Sequence, residues 1–209
     1  LHDHPSIGLR TKLQVKKLAE ELNYVPNQTA IFFKQGKTFT IGVILPNLRE
    51  EFFSLAISGI EEAAFQNNYI ALIGQSHDNK EREKAIVETM KKHRVDGLLV
   101  SISKETTSLE HFEALEHFNI PVVYFDRVPN VPNIHSVWCG LYHSSIATID
   151  LLARKGHQRI GYIQGPNTLS IKNERLEGYL SGMKKNNLVT NPAWIVTTDL
   201  SSRSTQIRR

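Results

Sequence analysis

From Thr40 onward the chain repeats one pattern, a short unbroken apolar run followed by a stretch with apolar residues at helical spacing. The runs are Ile41–Leu45, Tyr69–Gly74, Gly97–Ile102, Val122–Phe125, Ser136–Cys139, Arg159–Gln164 and Trp194–Thr198. A strand that does not alternate with polar residues must be covered on both faces, which is the condition of a parallel sheet between two helical layers. Two of the intervening segments carry clear stripes: Phe53, Ala56, Ile57, Ile60, Ala63 and Ala64, then Leu176, Tyr179, Leu180 and Met183. Asp78–His93 and Ser108–Asn119 read as further helices. The units differ in sequence, so a strand–helix unit recurs and a solenoid does not. The fold class that follows is α/β, an open, doubly wound parallel sheet.

The first part of the chain has a different period. Between Ser6 and Leu22 the apolar residues Val15, Leu18, Ala19 and Leu22 make one amphipathic helix, with Ser6 expected as its N-cap and Asn23 as its stop. Pro26 then pushes Val25 toward extended backbone. The segment Gln28–Gln35, ending at Gly36, is too short to be a stable helix alone in water. Residues 1–38 hold six basic side chains against three acidic ones, whereas the rest of the chain is nearly balanced at 19 to 18. That asymmetry hints at nucleic acid or another anionic surface.

Composition removes several classes. With 209 residues, 40% hydrophobic and 22% charged, the chain is an ordinary globular sequence rather than a disordered or fibrous one. No apolar run is long enough to cross a bilayer, and Leu1–Pro5 does not resemble a signal peptide. One cysteine, Cys139, excludes an internal disulfide framework and a multi-cysteine zinc site, and it is expected as a small buried hydrophobe. Trp194–Asp199 reads as a strand followed by a basic tail with nothing to pack on, and Leu1 opens without a partner element. Both ends suggest a chain cut inside a domain.

In open α/β sheets, ligands bind beyond the carboxyl ends of the strands. Here those positions hold Pro46, Asn47, Leu48, Phe52 and Phe53, then Gln75 and Ser76, Ser101 to Ser103, Asp126 and Arg127, and Gly165 and Pro166. Aromatic faces, hydroxyls, amides and an Asp-Arg pair suit a polar small molecule. Phe52 and Phe53 could equally pack in the core, and Asp126–Arg127 could be a local surface pair. No glycine-rich phosphate loop, nucleophile elbow or zinc-helix motif occurs, and the nine histidines are scattered. His157 is expected to be structural. No cofactor, no metal and no catalytic role are expected.

Several blocks then match a known family in order along the chain. They are Leu1–Ile7, Thr11–Leu22 and Asn23-Tyr24-Val25-Pro26-Asn27; Ala30–Thr38; Thr40–Pro46 with Phe52-Phe53; Asp96-Gly97-Leu98-Leu99; Ile120-Pro121-Val122-Val123; Asp126-Arg127; Gly156–Gly161; and Glu174–Tyr179. Together they resemble bacterial transcription regulators of the LacI/GalR family. The resemblance implies the end of a helix-turn-helix headpiece over 1–25 and a hinge helix over 26–38. A core like that of periplasmic sugar-binding proteins would follow, its N-terminal lobe over 39–139 and a partial C-terminal lobe over 140–209.

It also implies a cytoplasmic, nucleoid-associated, homodimeric repressor whose operator affinity is set by a small effector, a sugar or nucleoside, held between the lobes. Asn27, Ala30, Ile31, Phe33 and Lys34 would face DNA, with Phe33 as a wedge in the minor groove. Phe52, Phe53, Ser101, Asp126, Arg127 and Arg175 would face the effector, Arg175 as a cationic hydrogen-bond fork. Phe33 stands where the family usually has Leu, Ile31 where it often has Arg, and Gly140 where it often has Asp. The alternative is a solute-binding protein of the same core fold with no role on DNA.

Overall fold

The computed structural model describes residues 5–25, 27, 32, 35–165 and 173–198. Contacts divide the chain into two units, Leu1–Phe39 and Thr40–Arg209. In the first unit, helix α1 spans Leu9–Glu21. It starts after Gly8, which is extended and offers no side-chain cap, so Ser6 is not the N-cap. Ser6 lies too far back, because the first helical bond runs from the Lys12 N–H to the Gly8 carbonyl, 3.1 Å. The expected stop at Asn23 is present. Asn23 has φ 47°, its N–H reaches the Glu20 carbonyl, and the Tyr24 N–H closes on the Ala19 carbonyl at 2.8 Å. This double closure is the left-handed ending that asparagine tolerates.

The second unit opens on a five-stranded sheet, in spatial order β2-β1-β3-β4-β5. Its strands are β1 (Thr40–Leu45), β2 (Ile70–Gln75), β3 (Gly97–Val100), β4 (Val122–Phe125) and β5 (His135–Val137). All four pairings are parallel. Side chains alternate across a strand, and both sides are filled here. Ile44, Leu98, Val100 and Tyr124 meet helix α3 (Lys80–Lys92) and the short α4 (Glu110–Glu113) through Val87, Met90 and Phe112. Val43, Leu45, Leu99 and Phe125 meet α2 (Glu51–Gln66) through Phe53 and Ile57. Gly42 and Gly74 are where α3 lies close to the sheet, since a Cβ on Gly42 would stand 3.1 Å from the Met90 Sδ and one on Gly74 2.5 Å from the Ile86 Cγ2.

Helix α5 (Leu141–Arg154) and helix α6 (Glu174–Lys185) flank a separate two-stranded parallel sheet of β6 (Tyr162–Gln164) and β7 (Ile195–Thr197). Their core is Ile149, Ile160, Tyr179 and Met183. The two helices touch along glycines: a Cβ on Gly178 would lie 2.4 Å from the Tyr142 carbonyl oxygen, and one on Gly182 would lie 2.8 Å from the Ile149 Cβ.

Three expectations shift. The helix expected over Ser108–Asn119 is α4 plus a 3₁₀ turn, Glu116–Phe118, ended by Asn119 at φ 55°. Its buried Phe112 and Leu115 lie three residues apart, the period of the tighter helix. β6 starts at Tyr162 rather than Arg159, because the pairing with β7 begins with Tyr162 opposite Ile195. Cys139 is exposed, not buried, because it follows the edge strand β5 on the segment leaving the first sheet.

Candidate functional site

The order of the sheet fixes where a ligand could sit. The chain steps from β1 outward to β2, then returns past β1 to β3, so the topological switch lies between β1 and β3. Beyond their carboxyl ends the Ser101 N–H is bonded to the Ile44 carbonyl at 2.9 Å, and the Ser76 N–H to the Leu45 carbonyl at 2.9 Å. Ser101, Ser76 and Ser103 are each 0% exposed, polar groups buried where the strands end. The Ser101 Oγ completes no hydrogen bond of good geometry within the protein. It nevertheless lies near enough to the Asp126 carboxyl to favour its ionised form.

Asp126 closes β4 in the left-handed region, φ 56°, with its N–H on the Val137 carbonyl at 3.1 Å. That backbone turns the residue at the rim where β3, β4 and β5 end. Burial pushes the Asp126 carboxyl above the usual carboxylate range and Glu50 pushes the same way, whereas Arg127, Arg175 and Ser101 oppose them. Arg175 is on the first turn of α6 and acts electrostatically on Tyr162 of β6 as well. One cation thus stands within reach of groups from both sheets.

Arg127 does not form a local pair with Asp126 alone. Its Nη1 donates to the Asp78 carboxylate, which also accepts the Lys104 backbone N–H at 3.1 Å. The loops after β2, β3 and β4 are thereby tied together. The β3 loop is tied again by Glu83, a carboxylate on α3 with no exposure. It accepts the Ser103 N–H at 2.6 Å and the Thr106 hydroxyl at 2.6 Å, and it meets His111 Nε2 at 3.0 Å.

The two phenylalanines separate. Phe53 is 1% exposed and packs edge-on to Phe125 in the core, whereas Phe52 is 46% exposed and rests edge-on against Phe53, 5.3 Å between centroids. Phe52 is therefore the ring left open to solvent, with Phe53 as its support. Of the residues expected to face DNA, Asn27 is described, and Ala30, Ile31, Phe33 and Lys34 lie outside the described residues. Phe32 stacks on Phe39 at 5.4 Å within the first unit.

Sequence reading did not anticipate Asp78, Glu83 and Glu50 as partners of the site. Asp78 and Glu83 follow β2 closely in sequence, but their contacts lie 20 to 49 residues away. Among the described residues no group of three or more histidine, cysteine, aspartate or glutamate side chains could hold a metal ion. The arrangement presents a hydroxyl, a carboxyl, a guanidinium and an aromatic face, which bind and orient a polar molecule and do not form a nucleophile–base pair.

Comparison with known proteins gives this geometry a context. The family described as periplasmic binding proteins and sugar binding domain of LacI family matches residues 38–205. The chain is 28% identical over 197 residues to the HTH-type transcriptional repressor CytR of Escherichia coli K12, covering 93% of this chain and 57% of that protein. It is 29% identical over 200 residues to the HTH-type transcriptional repressor PurR of Proteus mirabilis, covering 95% and 58%. The chain thus spans little more than half the length of the curated relatives it matches.

Among solved structures, a periplasmic binding protein/LacI transcriptional regulator from Alkaliphilus metalliredigens, complexed with D-xylulofuranose, is 27% identical. It superposes with a TM-score of 0.66 over 78% of this chain and 58% of that one. The Lac repressor bound to ONPG in its repressed state shares the fold, with a TM-score of 0.75 at 23% identity over 97% and 61%.

Proposed function

The chain belongs to the family of periplasmic binding proteins and LacI-type sugar binding domains, and from that premise we propose that it is the hinge and effector-binding part of a DNA-binding repressor. Residues 1–25 are the end of the headpiece, 26–38 the hinge, 39–139 the first lobe and 140–209 part of the second. The effector is a sugar or nucleoside, held by Phe52, Ser101, Asp126 and Arg175. Arg127 acts through Asp78 on the loops, and Phe53 acts from beneath. The observation that carries this reading is that the charge of Arg175, on α6, acts on the Asp126 carboxyl at the end of β4. A molecule bonded to both favours one arrangement of the lobes over the other, which is how binding at the cleft would reach the hinge.

DNA contact falls to Asn27, Ala30, Ile31, Phe33 and Lys34, with the basic excess of residues 1–38 supplying attraction to phosphates. This excess, and the helix α1 preceding the core, favour the regulator over a solute-binding protein. The protein works as a homodimer in the cytoplasm, on the nucleoid. Among the described residues no helix is long and apolar enough to cross a membrane. Leu55, Phe65 and Ile70 are 68%, 77% and 72% exposed, leaving an apolar face along α2 and the edge strand β2 that suits a second copy.

Titration calorimetry of the chain against pentoses, hexoses, disaccharides and nucleosides tests the cleft. One class is expected to bind, with affinity falling at least about tenfold in Arg175→Ala and Asp126→Asn, the loss of one good polar contact. A binder that keeps its affinity in both variants would move the site elsewhere. In a version carrying a complete headpiece, Phe33→Ala is expected to weaken operator binding and leave effector affinity unchanged.

A further inference from the structure

The segment between β5 and α5 carries the chain from the first sheet to the second lobe, and one carboxylate grips both of its ends. Glu174 accepts the Trp138 indole N–H on Oε1 at 3.0 Å and the Leu141 backbone N–H on Oε2 at 2.9 Å. Trp138 is the first residue after β5, and Leu141 is the first residue of α5. Helix α5 has no acidic residue in its first turn, and Gly140 at its N-cap has no side chain to offer. Glu174 therefore replaces the missing cap from another helix, placing a negative charge where the helix dipole favours one. Both bonds have an ionised acceptor, which makes them stronger and shorter than neutral ones.

Glu174 is also the first residue of α6, directly before Arg175. We propose that Glu174 is a positioning residue that locks the crossover Trp138–Leu141 to the first turn of α6, so that Arg175 and the crossover move as one body. Without the lock, the first turn of α6 that carries Arg175 would be held by the packing of the rest of its helix, where Gly178 and Gly182 meet α5. With it, any displacement of Arg175 toward Asp126 is passed to the segment joining the lobes. The purpose of this lock rests on the cleft being the effector site, but the lock itself is measured without effector.

The experiment is nuclear magnetic resonance on the full chain, wild type against Glu174→Ala and Trp138→Phe. Hydrogen exchange at the Leu141 amide and the Trp138 indole is expected to accelerate about tenfold or more in Glu174→Ala, as a lost cap and a lost charged acceptor allow. The second reading is the titration of Asp126, whose charged neighbours are Glu50, Arg127 and Arg175. Trp138→Phe removes one half of the lock and leaves every charge in place.

Arg175 is then less firmly held, and the Asp126 midpoint is expected to rise by a few tenths of a pH unit, a fraction of what one neighbouring opposite charge contributes. An Asp126 midpoint unchanged in Trp138→Phe would make Glu174 a cap of α5 and nothing more. Unchanged exchange in Glu174→Ala would overturn the lock altogether. If Glu174→Ala does not fold, Trp138→Phe decides by exchange at the Leu141 amide and by the Asp126 midpoint. Loss of effector affinity in Arg175→Ala speaks only to the cleft, so the two ideas fail separately.

Discussion

Glu83 offers the sharpest test of how the β3 loop is held at the crevice. Its carboxylate is fully buried, so each of its hydrogen bonds is made away from water. Oε2 accepts the Ser103 N–H, while Oε1 faces both the Thr106 hydroxyl and His111 Nε2. Glu83→Ala leaves three polar groups without this acceptor and opens a cavity under the loop. A bond to a charged acceptor is worth about 1.5–3 kcal/mol net, and removing one partner from a buried charged cluster costs about 3–5 kcal/mol. Some relaxation and water entry keep the total within the second range, so a loss of about 4 kcal/mol is expected.

With a urea m-value of about 2 kcal/mol/M, the unfolding midpoint should fall by about 2 M. Glu83→Gln distinguishes geometry from charge. Its amide oxygen can serve Ser103 or the Thr106–His111 pair but not both, so about half the loss is expected. A midpoint lowered by less than about 0.5 M in Glu83→Ala would refute the idea that this carboxylate holds the loop.

Three further outcomes follow from the same contacts. Gly178→Ala sets a Cβ 2.4 Å from the Tyr142 oxygen and 2.6 Å from the Ser145 Cβ. Helices α5 and α6 must part, and a drop in melting temperature on the order of 5 °C is expected in calorimetry. Phe65→Asp, on the exposed face of α2, should weaken self-association at least about tenfold in sedimentation equilibrium while leaving the melting curve of the monomer unaltered. Asp126 titrates above its ordinary value because it is buried. The folded state then holds its proton more tightly, so stability falls as pH rises from the ordinary carboxylate value through the raised one. Asp126→Asn removes that loss, and its melting temperature near neutral pH should exceed that of wild type.

What the sequence made legible follows the range of the interaction concerned. The runs Ile41–Leu45 and Val122–Phe125 appear as strands because burial on both faces leaves an unbroken apolar stretch that local inspection detects. The α2 stripe appears because Phe53 and Ile57 sit four residues apart and face one core cluster. Segment 108–119 misleads because its apolar residues fit helical spacing loosely while burial selects Phe112 and Leu115, three apart. The site divides similarly. Ser101, Asp126 and Arg127 are readable from the rule about strand ends. The pairing of Arg127 with Asp78 spans 49 residues and leaves no local mark. Glu174 is adjacent to Arg175, but its bond to Trp138 depends on how two separate sheets are joined.

Two unfavourable features of the first lobe lie together where β3 and β4 end. Asp126 has left-handed backbone at φ 56°, which a non-glycine residue adopts at some expense. The same carboxyl is partly desolvated, and beside it the buried Ser101 hydroxyl lacks a well-formed hydrogen bond. A buried polar group left so costs about 1–3 kcal/mol. A bound polyol hydroxyl would donate to Asp126, accept from Ser101, and meet Arg175 on the opposite wall. The same groups that are unfavourable in the free protein would become favourable in such a complex. On the proposed reading, affinity for an effector and preference for one lobe arrangement would arise from one set of groups, which is the linkage a ligand-controlled repressor requires.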